Sequence, residues 1–308
     1  MKAIAIDTYG GADLLTVREL PVPPVGPDTV LVRVRAAGVN PVDWKIREGY
    51  LAGAFPSHFP LVPGWDAAGV VEAVGPAVAG FAVGDEVIGY VRRDDIQHGT
   101  YAELVPAPER TLAARPARAS WAQAGGLPLA GLTAYQCLQV AHIGAGDVVL
   151  VHGAAGGVGH LAVQIARALG AQRVIGTASP ANHDFVCSLG AEPVTYGDGV
   201  LDRVRAVAPD GVDVVLDLFG GPDLDATAQL ASRPARVVST ADPEQVTRLG
   251  GRYVFVKPST TDLSALAGLV DAGRLTVEVA RTFPLAQAAD AHRLVEAGHV
   301  RGKVVLEV

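Results

Sequence analysis

The chain has 308 residues, 49% of them hydrophobic, enough to build a large core spread over one to three domains. A net charge of −7 argues against nucleic acid as a main partner. Met1-Lys2 leads directly into an alternating strand and no apolar run is long enough to cross a bilayer, so a secretory leader is not expected and the cytoplasm is the expected location.

The first hundred residues read as β-rich, with strands predicted at Lys2 to Ile6, Val30 to Ala36, Gly69 to Val74 and Glu86 to Gly89, separated by Pro and Gly turns. Pro21, Pro23, Pro24 and Pro27 exclude a helix in their stretch. Pro106 to Arg118, with prolines at 106, 108 and 116, reads as a crossing between domains. Ser120-Trp121-Ala122-Gln123 has the form of a capping box, so a helix begins there. Downstream, helix and strand alternate: Val148 to Val151, a glycine turn, a helix through Leu161, Ile165, Ala168 and Leu169, and a strand at Arg173 to Thr177. The alternation continues through Asn182 to Leu189, Val212 to Leu216, Leu224 to Leu230, Val237 to Ser239 and Tyr253 to Val256. It predicts an α/β fold with a Rossmann-type doubly wound parallel sheet over residues 119–258. Helices around Ser264 to Ala272 and Leu285 to Ala297 and a strand at Lys303 to Val308 close the chain. That last strand most simply returns to the N-terminal part, making a β-rich domain of residues 1–118 and 259–308 that is discontinuous in sequence.

The turn after the first parallel strand runs Gly153, Ala154, Ala155, Gly156, Gly157, Val158, Gly159. Gly156 would let the backbone approach a pyrophosphate, and Gly159 would let the next helix pack closely on the strand, its N-terminus offering N–H groups to the phosphates. Ala154 stands where the strict G-x-G-x-x-G pattern has its first glycine, so the match is a variant form. The following strand ends in Ala178-Ser179-Pro180, with no Asp or Glu for a ribose 2′-hydroxyl. A carboxylate would repel a 2′-phosphate and a hydroxyl at a helix start accepts one, so NADPH is favoured over NADH. Ser179 before Pro180 is also read as a helix N-cap. The two cysteines, Cys137 and Cys187, lie among apolar residues on predicted helices and read as buried core thiols.

Segments Ala37 to Asp43, Pro63 to Val71, Val83 to Val87, Gly99 to Glu103, Leu127 to Ala134, the glycine turn and Gly298 to Lys303 together resemble the medium-chain dehydrogenase/reductase superfamily, specifically its zinc-independent quinone oxidoreductase branch. The resemblance covers nearly the whole chain and makes the β-rich part a GroES-like catalytic domain. Zinc members place a Cys where this chain has Asn40 and a His-Glu pair where it has Trp65-Asp66; with two cysteines, neither nearby, no metal site is expected. Without a metal, hydride delivery to a quinone or an α,β-unsaturated carbonyl remains, because such a substrate carries its own electron sink.

The resemblance implies an asparagine beside the nicotinamide at Asn40, which is read as a hydrogen-bonding catalytic residue or, from the Asn-Pro step, as a turn residue. Tyr50 is read as a proton or hydrogen-bond donor to substrate or as a surface aromatic. Trp65 is read as a pocket wall for an apolar substrate or as a core tryptophan, and Asp43 as a loop-fixing residue within reach of substrate. For the cofactor the resemblance nominates Thr133, Tyr196 near the 2′-phosphate, and Phe255-Val256 near the carboxamide. The basic residue often found just after Ser179 is replaced by Asn182 and His183. Lys303 is read as reaching the cofactor or as a solvated charge. The strand before Phe255 pairs between subunits in many relatives, and an apolar edge is otherwise an aggregation hazard, so a homodimer is expected. Two alternatives remain open at this stage: a stand-alone enoyl reductase acting on thioesters, and an NADPH-binding sensor or structural protein without turnover.

Overall fold

The computed structural model describes residues 1–308. The chain opens with β1 (Lys2–Ala5) and β2 (Thr16–Glu19), an antiparallel pair. β3 (Thr29–Val39) follows, 11 residues long and almost wholly buried, and runs through Asn40 into α1 (Pro41–Arg47), whose first residue is a proline that needs no N–H partner. Next come β4 (Ser57–Val62), β5 (Asp66–Val74), β6 (Glu86–Tyr90), β7 (Ile96–His98), β8 (Leu104–Pro108) and β9 (Leu112–Ala114). Two helices follow, α2 (Trp121–Gly126) and α3 (Pro128–Val140). The expected capping box is formed: Gln123 N donates to Ser120 Oγ at 3.2 Å and Ser120 N donates to Gln123 Oε1 at 3.0 Å.

A strictly alternating βα stretch then begins with β10 (Val148–Val151), α4 (Gly159–Ala168), β11 (Arg173–Ala178), α5 (His183–Ser188), β12 (Glu192–Thr195) and α6 (Val200–Val207). It continues through β13 (Val214–Asp217), α7 (Pro222–Thr227), β14 (Val237–Ser239), α8 (Pro243–Arg248) and β15 (Arg252–Tyr253). All six strands are parallel, in the order β12-β11-β10-β13-β14-β15, so ligands of this unit belong at the carboxyl ends of β10 and β13, where the order reverses. Its core is aliphatic and β-branched, centred on Leu150, Ile175, Val215, Leu224 and Val237.

The last segment comprises α9 (Thr260–Asp271), β16 (Val279–Pro284), α10 (Ala288–Glu296) and β17 (Lys303–Glu307). β17 returns to the first sheet and pairs antiparallel with β3, giving the order β16-β17-β3-β5-β6-β9, with β8 also pairing β3. The chain divides into a β-rich unit of Met1–Leu129, Pro258–Asp271 and Val277–Val308 and a parallel-sheet unit of Ala130–Lys257 and Ala272–Thr276.

The division therefore falls within the first turn of α3 and not at residue 118. α2 lies so close to β3 that a Cβ on Gly125 would stand 2.8 Å from Ala36 Cβ, which binds this helix to the β-rich unit. Pro106 to Arg118 is likewise no crossing: Leu104 to Pro108 pairs with β3 and Leu112 to Ala114 with β6. Prolines two residues apart turn their missing donors to the same side, which a strand with a single partner tolerates. Cys187 is exposed while Cys137 is buried, because only Val186 of α5 faces inward and its neighbour is turned about 100° away. The predicted strand at Tyr253 to Val256 ends at Tyr253. Strands at Thr16–Glu19, Ser57–Val62, Glu192–Thr195 and Val279–Pro284 gave no readable alternation.

β3 and β5 meet across Gly69, where an added Cβ would fall on the Arg33 carbonyl oxygen and lie 2.8 Å from Val32 Cγ1. Gly69→Ala is expected to cost roughly 1–3 kcal/mol and to lower Tm by several degrees in thermal unfolding; an unchanged Tm would show that the two strands can part here.

Candidate functional site

In the β-rich unit three neighbouring strands deliver three polar side chains to one buried place. Register pairs Val304 of β17 with Val39 of β3, which sets Lys303 beside Asn40, and Ala68 of β5 with Ala36, which sets Asp66 beside Gly38. Gly38 has to be glycine: a Cβ would stand 2.6 Å from the Gly125 carbonyl oxygen and 2.8 Å from Asp66 Oδ2. Asn40 Nδ2 donates to Asp66 Oδ2 at 2.9 Å, Lys303 Nζ donates to Asn40 Oδ1 and lies 3.8 Å from Asp66 Oδ2, and Leu129 N donates to Asp66 Oδ1 at 2.7 Å. Burial pushes the Asp66 carboxyl up to about 6, opposed by the Lys303 ammonium, and burial lowers the Lys303 ammonium, opposed by Asp66 and Asp43.

Asp43 closes a capping box around Asn40, its Oδ2 accepting from Asn40 N at 2.8 Å and from Tyr101 Oη at 3.0 Å. Tyr101 in turn meets His292 Nε2 at 3.2 Å, and His292 Nδ1 lies 3.3 Å from Arg47 Nη1. Arg47 can only donate, so His292 Nδ1 accepts and its Nε2–H donates to Tyr101, whose hydroxyl donates to Asp43. The guanidinium is anchored at the other end by Glu48 at 2.5 Å and Glu296 at 2.6 Å. Burial, helped by Arg47, holds the His292 imidazole down to about 3, so it is neutral. Burial pushes the Asp43 carboxyl up to about 7, with Asp66 adding to the rise and Asn40 N and Tyr101 opposing it.

This placement decides between the alternatives at three residues. Asp43 is completely enclosed and holds the Asn40 turn, so it is not a surface for substrate. Lys303, 3% exposed, is no solvated charge and its ammonium is engaged with Asn40 and Asp66. Trp65 is a core tryptophan, 5% exposed, between Phe55 at 5.9 Å and Tyr90 at 6.0 Å. Tyr50 stands outside the network, 71% exposed and edge-on to Trp44. The roles of Tyr101, His292 and Arg47 were not readable: although Tyr101 falls in the Gly99 to Glu103 segment, its bond to Asp43 spans 58 residues and that of His292 to Arg47 spans 245.

In the parallel-sheet unit the glycine turn is held by a polar chain that also escaped the sequence. Gly153 N donates to Thr177 Oγ1 at 3.0 Å and Ala154 N to the Thr177 carbonyl at 2.9 Å. Thr177 Oγ1 meets His152 Nδ1 at 3.4 Å, His152 Nε2 meets Thr227 Oγ1 at 2.8 Å, and Thr227 Oγ1 donates to the Asp223 carbonyl at 2.7 Å. One assignment satisfies every link: Thr177 donates to Nδ1, and Nε2–H donates to Thr227. Burial lowers the His152 pKa, opposed by Asp217 and Asp223. Gly153 has φ +70°, and a Cβ on Gly159 would collide with the Gly153 carbonyl, so helix α4 starts against the turn itself. Gly156, Gly157 and Val158 are partly open, whereas Ala154 and Ala155 are buried. α4, a helix of 10 residues, is bonded into this turn, His160 N donating to Gly156 O at 3.1 Å and Ala162 N to Val158 O at 2.9 Å.

At the carboxyl ends of β11 and β12, which pair through Ala178 and Thr195, lie Ser179 and the exposed Tyr196. The Ser179 hydroxyl makes no cap bond and accepts from Asn182 Nδ2 at 3.2 Å. Arg203 of α6 bonds the backbone at the end of β12: its Nε donates to Thr195 O at 2.8 Å and its Nη2 to Tyr196 O at 3.2 Å and Gly197 O at 3.1 Å. Thr133 is buried on α3 one turn before Gln136, whose side chain makes two bonds with the Lys257 backbone at 2.9 and 3.0 Å. Phe255 and Val256 precede that anchor, Phe255 half exposed. Asp217, also missed, accepts from Phe219 N, Gly220 N and Ser239 Oγ at the end of β13 and leaves Phe219 85% exposed.

A Rossmann sheet with a held glycine turn, interrupting a β-rich unit that carries an Asn-Asp-Lys cluster, defines a dinucleotide-dependent oxidoreductase. The chain belongs to the medium-chain dehydrogenase/reductase family, in its quinone oxidoreductase-like branch. Residues 26–117 match the alcohol dehydrogenase GroES-like domain and residues 189–306 match the zinc-binding dehydrogenase domain. The chain is 37% identical to the NADPH-dependent alkenal/one oxidoreductase of Arabidopsis thaliana chloroplasts, over 99% of this chain and 79% of that protein. It is 35% identical to the 2-methylene-furan-3-one reductase of Solanum lycopersicum, over the same shares. The quinone oxidoreductase of Coxiella burnetii superposes with a TM-score of 0.89 at 35% identity, covering 100% of this chain and 99% of that one.

The Asp43 carboxyl is neutral in the fold up to about pH 7 but ionised in the unfolded chain above about 4, so its contribution to stability is full below 4 and is lost as pH rises through 7. Between pH 5 and 8, urea unfolding should show Asp43→Asn gaining roughly 2–3 kcal/mol relative to the parent. A difference that stays constant with pH would refute the raised value.

Proposed function

We propose that the chain reduces quinones or α,β-unsaturated carbonyls with NADPH, by direct hydride transfer without a metal. The observation that carries the reading is the cation of the cluster: among Asn40 and Asp66 the positive charge is the Lys303 ammonium, in a set with one carboxylate and no His or Cys. That donor set does not fit a zinc ion, which needs about three Cys, His or carboxylate ligands.

The parallel-sheet unit fits NADPH. The turn at Gly153 to Gly159 would hold the pyrophosphate, because its glycines leave backbone N–H groups free of side-chain cover. Ser179, Asn182, His183, Tyr196 and the Arg203 guanidinium would hold the 2′-phosphate, with no carboxylate in the position that would repel it. Thr133, Phe255 and Val256 belong to the nicotinamide end of this reading. The bound cofactor supplies a hydride. A quinone or enone spreads the incoming charge onto its oxygen, so the chain has to supply only a hydrogen bond and a proton can come from solvent. Asn40 Nδ2 has one N–H committed to Asp66 and a second that is not, which suits it to that oxygen.

The test is NADPH oxidation with 9,10-phenanthrenequinone and with a small enone. NADPH should be preferred to NADH, and Ser179→Asp should shift the preference toward NADH. Asn40→Ala should lower kcat by about 10- to 100-fold. NADPH binding without turnover on either substrate would leave a sensor and reject the reading.

The reading extends to a homodimer. β15 is an edge strand pairing only with β14, and Tyr253 and Phe255 beside it are 38% and 50% exposed, which supports pairing with a second copy. Light scattering should give twice the chain mass, and Tyr253→Pro, which removes an N–H on the side away from β14 because the next one, Val254 N, donates to Ser239 O, should give the single-chain mass; a monomeric parent would reject it.

A further inference from the structure

Asn40 is the one uncharged member of a fully buried triad, and the two charges on either side of it have opposite hydrogen-bonding character. A lysine ammonium only donates and an ionised carboxylate only accepts. Lys303 therefore has to meet Oδ1 and Asp66 has to meet Nδ2, as they do. Turning the amide over would set Nδ2 against the ammonium and Oδ1 against the carboxylate, losing both bonds together. The carboxylate cannot rotate away, since its other oxygen is held by Leu129 N at 2.7 Å. The Asn40 backbone is held independently through Asp43.

We propose that the Asp66–Lys303 pair is a positioning device for the Asn40 amide, with Lys303 and Asp66 as positioning residues that fix the direction of its free N–H. The inference rests on the reading of Asn40 given above. A wholly structural role explains the pair poorly. Removing two charges and an amide from water is costly, an apolar pair of like volume would join β17 to β5 as well, and buried ion pairs add little net stability. What an apolar pair could not do is choose between the two faces of an amide. The sheet brings all three groups together from positions up to 263 residues apart.

The test uses the whole enzyme with the same quinone assay. Lys303→Met alone leaves Asp66 as an unpaired buried charge and Asp66→Asn alone leaves Lys303 so, and both should lower Tm. The double variant Asp66→Asn/Lys303→Met removes both charges and should recover most of the lost Tm, while kcat stays about 10-fold or more below the parent and KM for NADPH changes less than about twofold. Recovery of kcat together with Tm would overturn the proposal. If the double variant does not fold, Lys303→Arg keeps a donor-only cation: kcat within about threefold of the parent supports the proposal, and a loss as large as that of Asn40→Ala at parental Tm overturns it. Introducing Lys303→Met into the Asn40→Ala protein should lower kcat no further; an independent loss would mean that Lys303 acts other than through Asn40. A parental kcat for Asn40→Ala itself would reject the underlying reading, an outcome distinct from all of these.

Discussion

An ammonium, a carboxylate and a carboxamide share one dry place in the β-rich sheet, and the strand register around them has little freedom to differ. A one-residue slip of β17 against β3 would turn Lys303 to the other face of the sheet and leave Asp66 buried without its cation. The same slip in β5 would carry Asp66 away from Gly38, where an added Cβ would stand 2.8 Å from its Oδ2. The discontinuity of this unit follows from the same constraint. Its third charged strand is the last of the chain, so the unit cannot be completed until the parallel sheet between them has been synthesised.

The two units solve a similar problem with different chemistry. In the β-rich unit the turn bearing Asn40 is held by a run anchored on an ion pair, Arg47 with Glu48 and Glu296, and continuing through the neutral His292 and Tyr101 to Asp43. In the parallel-sheet unit a turn whose function lies in its backbone is held through neutral groups, His152, Thr177 and Thr227. In each run one assignment of donors and acceptors satisfies the histidine's two links, which fixes the tautomer of the buried ring. Neutral links suit a turn meant for an anion, because a fixed charge beside it would bias the site before any phosphate arrived.

The balance of charges inside the β-rich unit also bears on the chemistry. Asp43 and Asp66 are both raised toward neutrality by burial, while a single lysine lies between them, so the cluster changes its proton content close to physiological pH. The buried histidine, held near 3, takes no part in this exchange and serves as a rigid link.

Much of the architecture was legible in the sequence because it rests on local rules. β10 at Val148–Val151 and β14 at Val237–Ser239 match the apolar β-branched runs residue for residue, and the capping box at Ser120 and the glycine turn are spelled by neighbouring letters. The absence of an acid at Ser179 was equally plain. Weakly patterned strands such as Thr16–Glu19, where only one residue is even partly buried, carried no periodicity to read. Asn40 could be singled out by its place in a motif, but its partners could not. Lys303 reads equally as a group that reaches the cofactor and as a solvated charge until strand pairing encloses it, and Arg203 comes from a different helix to bond the backbone at the end of β12. The sequence by itself determined the elements, the cofactor turn and the missing metal ligands, because these depend on residues within a few positions of one another. Only the tertiary structure decided which charges meet and which are buried, because pairing and desolvation depend on the register of strands as far apart as Asn40 and Lys303.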